Sequence, residues 1–231
     1  MCGIVGYVGR DTGSTPLDVV MEGLARLEYR GYDSAGVALV TESGIDQRKR
    51  AGKLENLRTE IAAHPLAASS TGIGHTRWAT HGGPTDENAH PHLGGEDDAL
   101  ALVHNGIIEN FHQLKAELVD AGVTFRSETD TEVAAQLLGR AYAQAGDLTA
   151  AMQAVVARLE GAFTLLAMHE EHPGLVVGAR RNSPLVIGLG DGENFLGSDV
   201  AAFVEHTRSA LAIGQDEIVA ITPGGVEITV G

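Results

Sequence analysis

Short apolar runs punctuated by glycine, gathered in blocks rather than alternating one-for-one with helices, predict an α+β domain built on antiparallel sheets. From Ala162 onward the chain is mostly strand-like runs, while three helix-period segments follow one another between residues 111 and 160. Among 231 residues, 43% are hydrophobic, enough for one sizeable core in a single domain spanning residues 1–231.

Ile4–Val8 reads as a short buried strand. Ser14-Thr15-Pro16 opens a helix, with proline suited to its first position, and Leu17, Val20, Met21, Leu24 and Leu27 follow at helical spacing. Ala35–Thr41 and Ile45–Arg50 pair across Ser43-Gly44. Lys53–Ala63 reads as helix, and Thr71–Trp78 as a strand leading into the loop His81-Gly82-Gly83-Pro84. Ala99–His104 is a strand that should end at Asn105-Gly106. Phe111, Leu114 and Leu118 mark a helix capped by Asn110 and stopped by Gly122. Val133, Leu137, Leu138 and Ala141 mark another, ending near Gly146, and Thr149 starts a third. Phe163–Met168, Leu175–Ala179, Leu185–Gly188, Asn194–Gly197, Ile218–Ile221 and Val226–Val230 complete the strands.

Sixteen basic against 31 acidic residues leave a net charge of −15, which repels phosphate backbones and acidic membrane surfaces. Nucleic acid and membrane are therefore not expected partners. One cysteine forms no internal disulfide, and no leader precedes it, so a reducing, cytoplasmic setting is expected. No apolar run approaches the about 18 residues of a membrane span.

That cysteine is residue 2. Removal of Met1 would give one residue both a thiol, ordinarily titrating at about 8.5, and an α-amine titrating at about 7.7–8.0. Such a residue carries its own nucleophile and its own base. The plain alternative is a small buried residue at a strand start.

His75-Thr76-Arg77-Trp78-Ala79-Thr80-His81-Gly82 holds the chain's one tryptophan, an arginine and two histidines at a strand-to-loop exit. The arginine fork suits a carboxylate, although an ordinary strand with alternating polar groups accounts for the pattern equally well. Asn105-Gly106 between apolar runs is a hairpin signal. A turn there would also set the Asn105 amide and the Gly106 N–H side by side, as an oxyanion hole requires. Thr129 and Glu132 stand at capping-box spacing, which leaves Asp130 free to face a site and hold an ammonium. His90-Pro91-His92, with His75, His81 and Cys2, raises the question of a metal. Without a second cysteine or a His-Glu-x-x-His pattern, these histidines read as loop-orienting groups, and no metal is expected.

Cys2-Gly3-Ile4-Val5-Gly6-Tyr7, Leu27 to Gly36, His75 to Gly82, Asn88 to His92, Val103 to Asn110, Ser127 to Val133 and Ser183 to Gly188 together resemble the class II glutamine amidotransferase domain, in the same order and over essentially the whole chain. The resemblance implies an N-terminal-nucleophile hydrolase fold, a four-layer αββα sandwich of two antiparallel sheets. It implies glutaminase chemistry with Cys2 as nucleophile and Asn105 and Gly106 as oxyanion donors. Arg77 would clasp the α-carboxylate of L-glutamine and Asp130 its α-ammonium, with Thr80 and His81 lining the pocket and Trp78 closing it. Arg30 and Gly31 would lie near the nucleophile. No metal or organic cofactor is implied. The resemblance further implies sugar-phosphate isomerase domains beyond Gly231, a homodimer for the whole enzyme and a monomer for this stretch alone. Three other readings stay open at this point: another class II amidotransferase, a cysteine hydrolase using Cys2, His81 and Asn105, and a non-catalytic binding module.

Overall fold

The computed structural model describes residues 2–10, 13 and 15–230. In chain order the strands are β1 (Gly3–Gly9), β2 (Ser34–Thr41), β3 (Gly44–Ala51), β4 (Thr71–Arg77), β5 (His92–Gly94), β6 (Leu100–Ile108), β7 (Gly161–His169), β8 (Val176–Arg181), β9 (Val186–Leu189), β10 (Glu193–Gly197), β11 (Ala210–Ala212), β12 (Glu217–Thr222) and β13 (Gly225–Val230). The helices are α1 (Pro16–Leu27), α2 (Leu54–Ala63), α3 (Phe111–Asp120), α4 (Asp130–Ala145) and α5 (Leu148–Val156).

Among the described residues the strands form two sheets, ordered β11-β9-β10-β1-β4-β2-β3 and β13-β12-β8-β7-β6-β5, with antiparallel neighbours throughout. Because side chains alternate along a strand, each sheet offers an apolar face on both sides. Ile4, Val8, Ile73, Ala101, Val103, Leu166, Leu196 and Val219 fill the layer between the sheets. Val5, Tyr7, Val37 and Phe195 turn the other way, against Val20, Leu24 and Leu27 of α1 and Leu57 of α2. Leu100, Leu102 and Leu165 meet Leu114 of α3, Leu138 of α4 and Met152 of α5. Three apolar interfaces thus separate four layers, helix–sheet–sheet–helix, as the resemblance implied.

Most element boundaries lie within about two residues of those the sequence suggests. The exceptions are physical. β6 does not stop at Asn105-Gly106: it continues to Ile108, with Asn105 opposite Thr164 and Gly106 opposite Phe163. The hairpin signal is overridden because β7 offers partners past the Asn-Gly pair. Gly106 adopts φ +109° inside the strand, and a Cβ there would stand 2.1 Å from the Ala162 carbonyl oxygen. Asn110 precedes α3 but caps nothing with its side chain. Its amide bridges to Arg158 O and Glu160 N instead. The third of these helices begins at Leu148 rather than Thr149, because the Asp147 side chain accepts from Ala150 N. α1 is capped by Thr15, whose hydroxyl accepts from Asp18 N, and Ser14 lies outside the described residues. β5 and β11, three residues each, are too short for any periodicity to reveal.

One close approach fixes the loop that reaches the site. Gly36 on β2 lies under the His90 carbonyl, where a Cβ would stand 1.9 Å from the oxygen. Lys49 on β3 completes the clamp by donating to the carbonyls of Glu87, Ala89 and Pro91 at 3.3, 2.9 and 3.3 Å. Gly36→Ala should therefore lower the stability to urea unfolding by about 1–3 kcal/mol, the usual cost of overpacking. An unchanged midpoint would contradict this packing.

Candidate active site

Period-two alternation places three polar residues at one end of the layer between the sheets. Ile4 and Val8 of β1 face that layer, so the same phase reaches Cys2, one residue before the strand. Ile73 of β4 sets the phase for His75, and Val103 of β6 for Asn105. The apolar interface thereby ends in a thiol, an imidazole and an amide drawn from both sheets.

These groups are joined. Asn105 Nδ2 donates to the Cys2 carbonyl at 3.0 Å. His75 Nε2 lies 2.9 Å from Asn105 Oδ1 and 2.9 Å from the His104 carbonyl oxygen. A carbonyl can only accept, so Nε2 carries the proton. His75 is fully buried, and burial pushes it down to about 3, keeping the ring neutral at ordinary pH.

The Cys2 thiol rests on the Trp78 peptide: Trp78 N donates to Sγ at 3.1 Å, and Sγ donates to Trp78 O at 3.4 Å. Burial pushes the thiol up from its ordinary value, and the Trp78 hydrogen bond opposes that shift. The resting group is a neutral thiol that needs a base. Gly31 makes this arrangement possible, since a Cβ would stand 2.9 Å from Arg77 C and 3.1 Å from Trp78 N. Asp33 steadies the same segment by accepting from Ala79 N. Arg30 stands further back, paired with Asp199 and donating to the Tyr29 hydroxyl at 2.9 Å. It thus braces the turn preceding Gly31 and does not line the site cavity.

A narrow cavity of about 20 Å³ opens beside the thiol, lined by Cys2, Arg77, Trp78, Thr80, His81, Gly106 and Asp130 and also by His75, His90, His104, Thr129 and Thr131. Asn105 does not line it but holds the Cys2 carbonyl. Arg77 gives Nη1 to Gly83 O at 3.0 Å and Nη2 to the carbonyls of His81 and Gly82. These bonds tie the loop 81–83 to the guanidinium at the cavity. Asp130, first residue of α4, accepts from Ile108 N at 2.9 Å through one oxygen. His81 lies 4.8 Å from the Phe111 ring, centroid to centroid, and its buried Nε2 has no hydrogen-bond partner. It makes no hydrogen bond to Cys2 or Asn105, so the Cys2–His81–Asn105 arrangement is not assembled. Trp78 is half exposed at the mouth, edge-on to Tyr32 at 5.6 Å.

Capping at 129–132 is as the spacing suggests in part: Thr129 Oγ1 accepts from Glu132 N at 3.3 Å. The Glu132 carboxylate reaches past the cap to Arg126 N and Ser127 N instead. The sequence assigned His75 and His90 to the orienting of loops and gave no role to Thr131 or His104. Thr131 Oγ1 stands 2.7 Å from His90 Nε2 and 2.9 Å from His104 Nδ1, and the His75 and His90 rings stack at 4.2 Å. The only available signal was the density of histidines in residues 75–104.

Known proteins give the arrangement its family. The sequence model of the glutamine amidotransferase domain matches residues 58–223. Two solved structures superpose over 99% of this chain and 49% of their own. One, a glutamine phosphoribosylpyrophosphate amidotransferase from B. subtilis complexed with ADP and GMP, is 26% identical with a TM-score of 0.82. The other, an allosteric regulatory enzyme of purine biosynthesis, is 28% identical with a TM-score of 0.84. The chain belongs to the glutamine amidotransferase domain family, with the N-terminal-nucleophile amidotransferase fold. Among curated relatives, the glutamine–fructose-6-phosphate aminotransferases (isomerizing) of Leifsonia xyli and Streptomyces coelicolor are 67% and 62% identical over 99% of this chain. The chain spans 37% of the length of those relatives.

His75, His90, His92 and His104 are all buried, and burial holds all four below the ordinary imidazole range. The unfolded chain, with histidines at about 6.5, then binds more protons than the folded one as pH falls. Stability should be full above about pH 6.5 and should drop below it. Urea midpoints measured from pH 7.5 to 5 check this, and a flat profile would contradict it.

Proposed function

We propose that this chain hydrolyses the side-chain amide of L-glutamine to glutamate and ammonia through a γ-glutamyl thioester on Cys2. The observation that carries the proposal is a single cavity lined by a thiol, a guanidinium and a carboxylate, the last two being the charges that the α-groups of an amino acid require. Arg77 takes the α-carboxylate and Asp130 the α-ammonium, with Thr80 and His81 along the substrate and Trp78 at the mouth. The α-amine of Cys2, freed by loss of Met1, accepts the thiol proton. The thiolate then attacks the γ-carbonyl, and the oxyanion is held by the second N–H of Asn105 Nδ2 and by Gly106 N–H. The ammonium formed on residue 2 returns its proton to the leaving amine. Ammonia departs, and water cleaves the thioester. No step calls for a metal or an organic cofactor.

The names of the relatives extend the proposal. In a longer polypeptide the ammonia would pass to sugar-phosphate isomerase domains and convert fructose 6-phosphate to glucosamine 6-phosphate. The whole enzyme would be a cytoplasmic homodimer, and this stretch alone a monomer. No described helix is long and apolar enough to cross a membrane.

One observation favours a second reading. His75 binds Asn105 through Nε2 while its buried Nδ1 has no partner, the order found in Cys-His-Asn hydrolases. A ring held at about 3 lies far from the range in which a general base works near neutrality, so the terminal amine is the better base.

Ammonia release should track the fraction of chains that begin at Cys2, read by intact mass on the sample assayed. A chain whose terminus is permanently blocked should be inactive, and full activity from it would sink the terminal-amine mechanism in favour of a histidine base. Asp130→Asn keeps an acceptor for Ile108 N and removes the charge. It should raise KM for glutamine roughly 10- to 100-fold, the range of a hydrogen bond to a charged group. An unchanged KM would remove Asp130 from substrate binding.

A further inference from the structure

We propose that His75 is a positioning residue for the reaction: it locks the Asn105 side-chain amide with Nδ2 turned toward residue 2. The inference rests on the glutaminase reading but concerns a residue to which that reading gives no task.

A side-chain amide has two nearly isosteric ends and can face either way round. Two independent constraints choose one orientation here. The Cys2 carbonyl accepts only, so the end of Asn105 that meets it must be the donor, Nδ2. The other end meets His75 Nε2, and that nitrogen also faces the His104 carbonyl, a second pure acceptor. The proton is thereby forced onto Nε2, and a protonated Nε2 demands Oδ1 from Asn105. Reversal of the amide would set N–H against N–H and oxygen against oxygen, both out of contact with water, since His75 is fully buried and Asn105 nearly so. The strands hold the geometry: His75 sits opposite Ile4 of β1 and Gly36 of β2, while Asn105 sits opposite Thr164 of β7. His75 therefore reaches from the sheet that carries the nucleophile to the sheet that carries the oxyanion donor.

The test has two arms. In the first, ¹⁵N NMR of the unaltered chain reads the His75 tautomer, with Nε2–H expected as the sole form from pH 6 to 8. The Nδ1–H tautomer or an imidazolium in that range would overturn the proposal without any variant having to fold. In the second, glutaminase kinetics are measured on chains shown by intact mass to begin at Cys2. His75→Leu should lower kcat by about 10- to 100-fold, less than the roughly 100- to 1,000-fold cost of losing an oxyanion donor outright, and leave KM within about twofold. His75→Gln, which retains an N–H near the Nε2 position, should recover most of that loss. The effect should also vanish in the absence of its target: in an Asn105→Ala background, His75→Leu should cost less than about threefold more. A full additional loss in that background would make His75 act on Cys2 directly and overturn the positioning role, as would unchanged kcat in His75→Leu. Absence of glutaminase activity in the unaltered chain would instead sink the function itself, while the tautomer arm still reports on the His75–Asn105 lock.

Discussion

The site depends on one hydrogen-bonded tie across the layer between the sheets: Cys2 carbonyl to Asn105 Nδ2, Asn105 Oδ1 to His75 Nε2. Its ends, Cys2 before β1 and His75 on β4, belong to the seven-stranded sheet and its middle, Asn105 on β6, to the six-stranded one, so the relative placement of thiol and amide is set by sheet-on-sheet packing. The apolar layer of Ile4, Ile73, Val103 and Leu166 holds the sheets at a fixed separation. Such layers are close-packed and deform little. Tight packing a few residues away is thus what gives Cys2, just outside β1, a defined position.

The histidines behind the cavity follow from the same geometry. Where the layer ends, polar backbone ends and side chains must be satisfied without water. Imidazole serves well, since it carries one donor and one acceptor and remains neutral when desolvated. Thr131 Oγ1, within hydrogen-bond distance of both His90 and His104, offers a hydroxyl that can donate once and accept twice, and so can satisfy either tautomer. Asp130 next to it begins α4, so helix capping and the cavity-lining carboxylate arise from a single turn of chain.

Much of this was legible in the sequence. Alternation of apolar residues gave the strands, and helical spacing gave α1, α3 and α4, because both signals are local. Cys2, Arg77, Gly106 and Asp130 were legible as chemistry, and the structure gathers them around one cavity. The pairing of sheets was not legible, since it depends on contacts such as Gly36 under the His90 carbonyl. Asn105-Gly106 misled for the same reason: the dipeptide favours a turn locally, while β7 offers a continuous ladder. His81 was the histidine that the sequence placed in the site, and His75 was given no partner there. Only the crossing from β4 to β6 tells them apart, for it is His75 that meets Asn105.

The Trp78 peptide that cradles the Cys2 sulfur bears on wear as well as on reactivity. Peroxide attacks a thiolate far faster than a thiol. A sulfur that is only partly exposed, protonated and bound to a neighbouring peptide while idle is a poor target for oxidants. Deprotonation only on arrival of the amide would confine the vulnerable form to the moment of use and lengthen the working life of a group the chain has no second copy of.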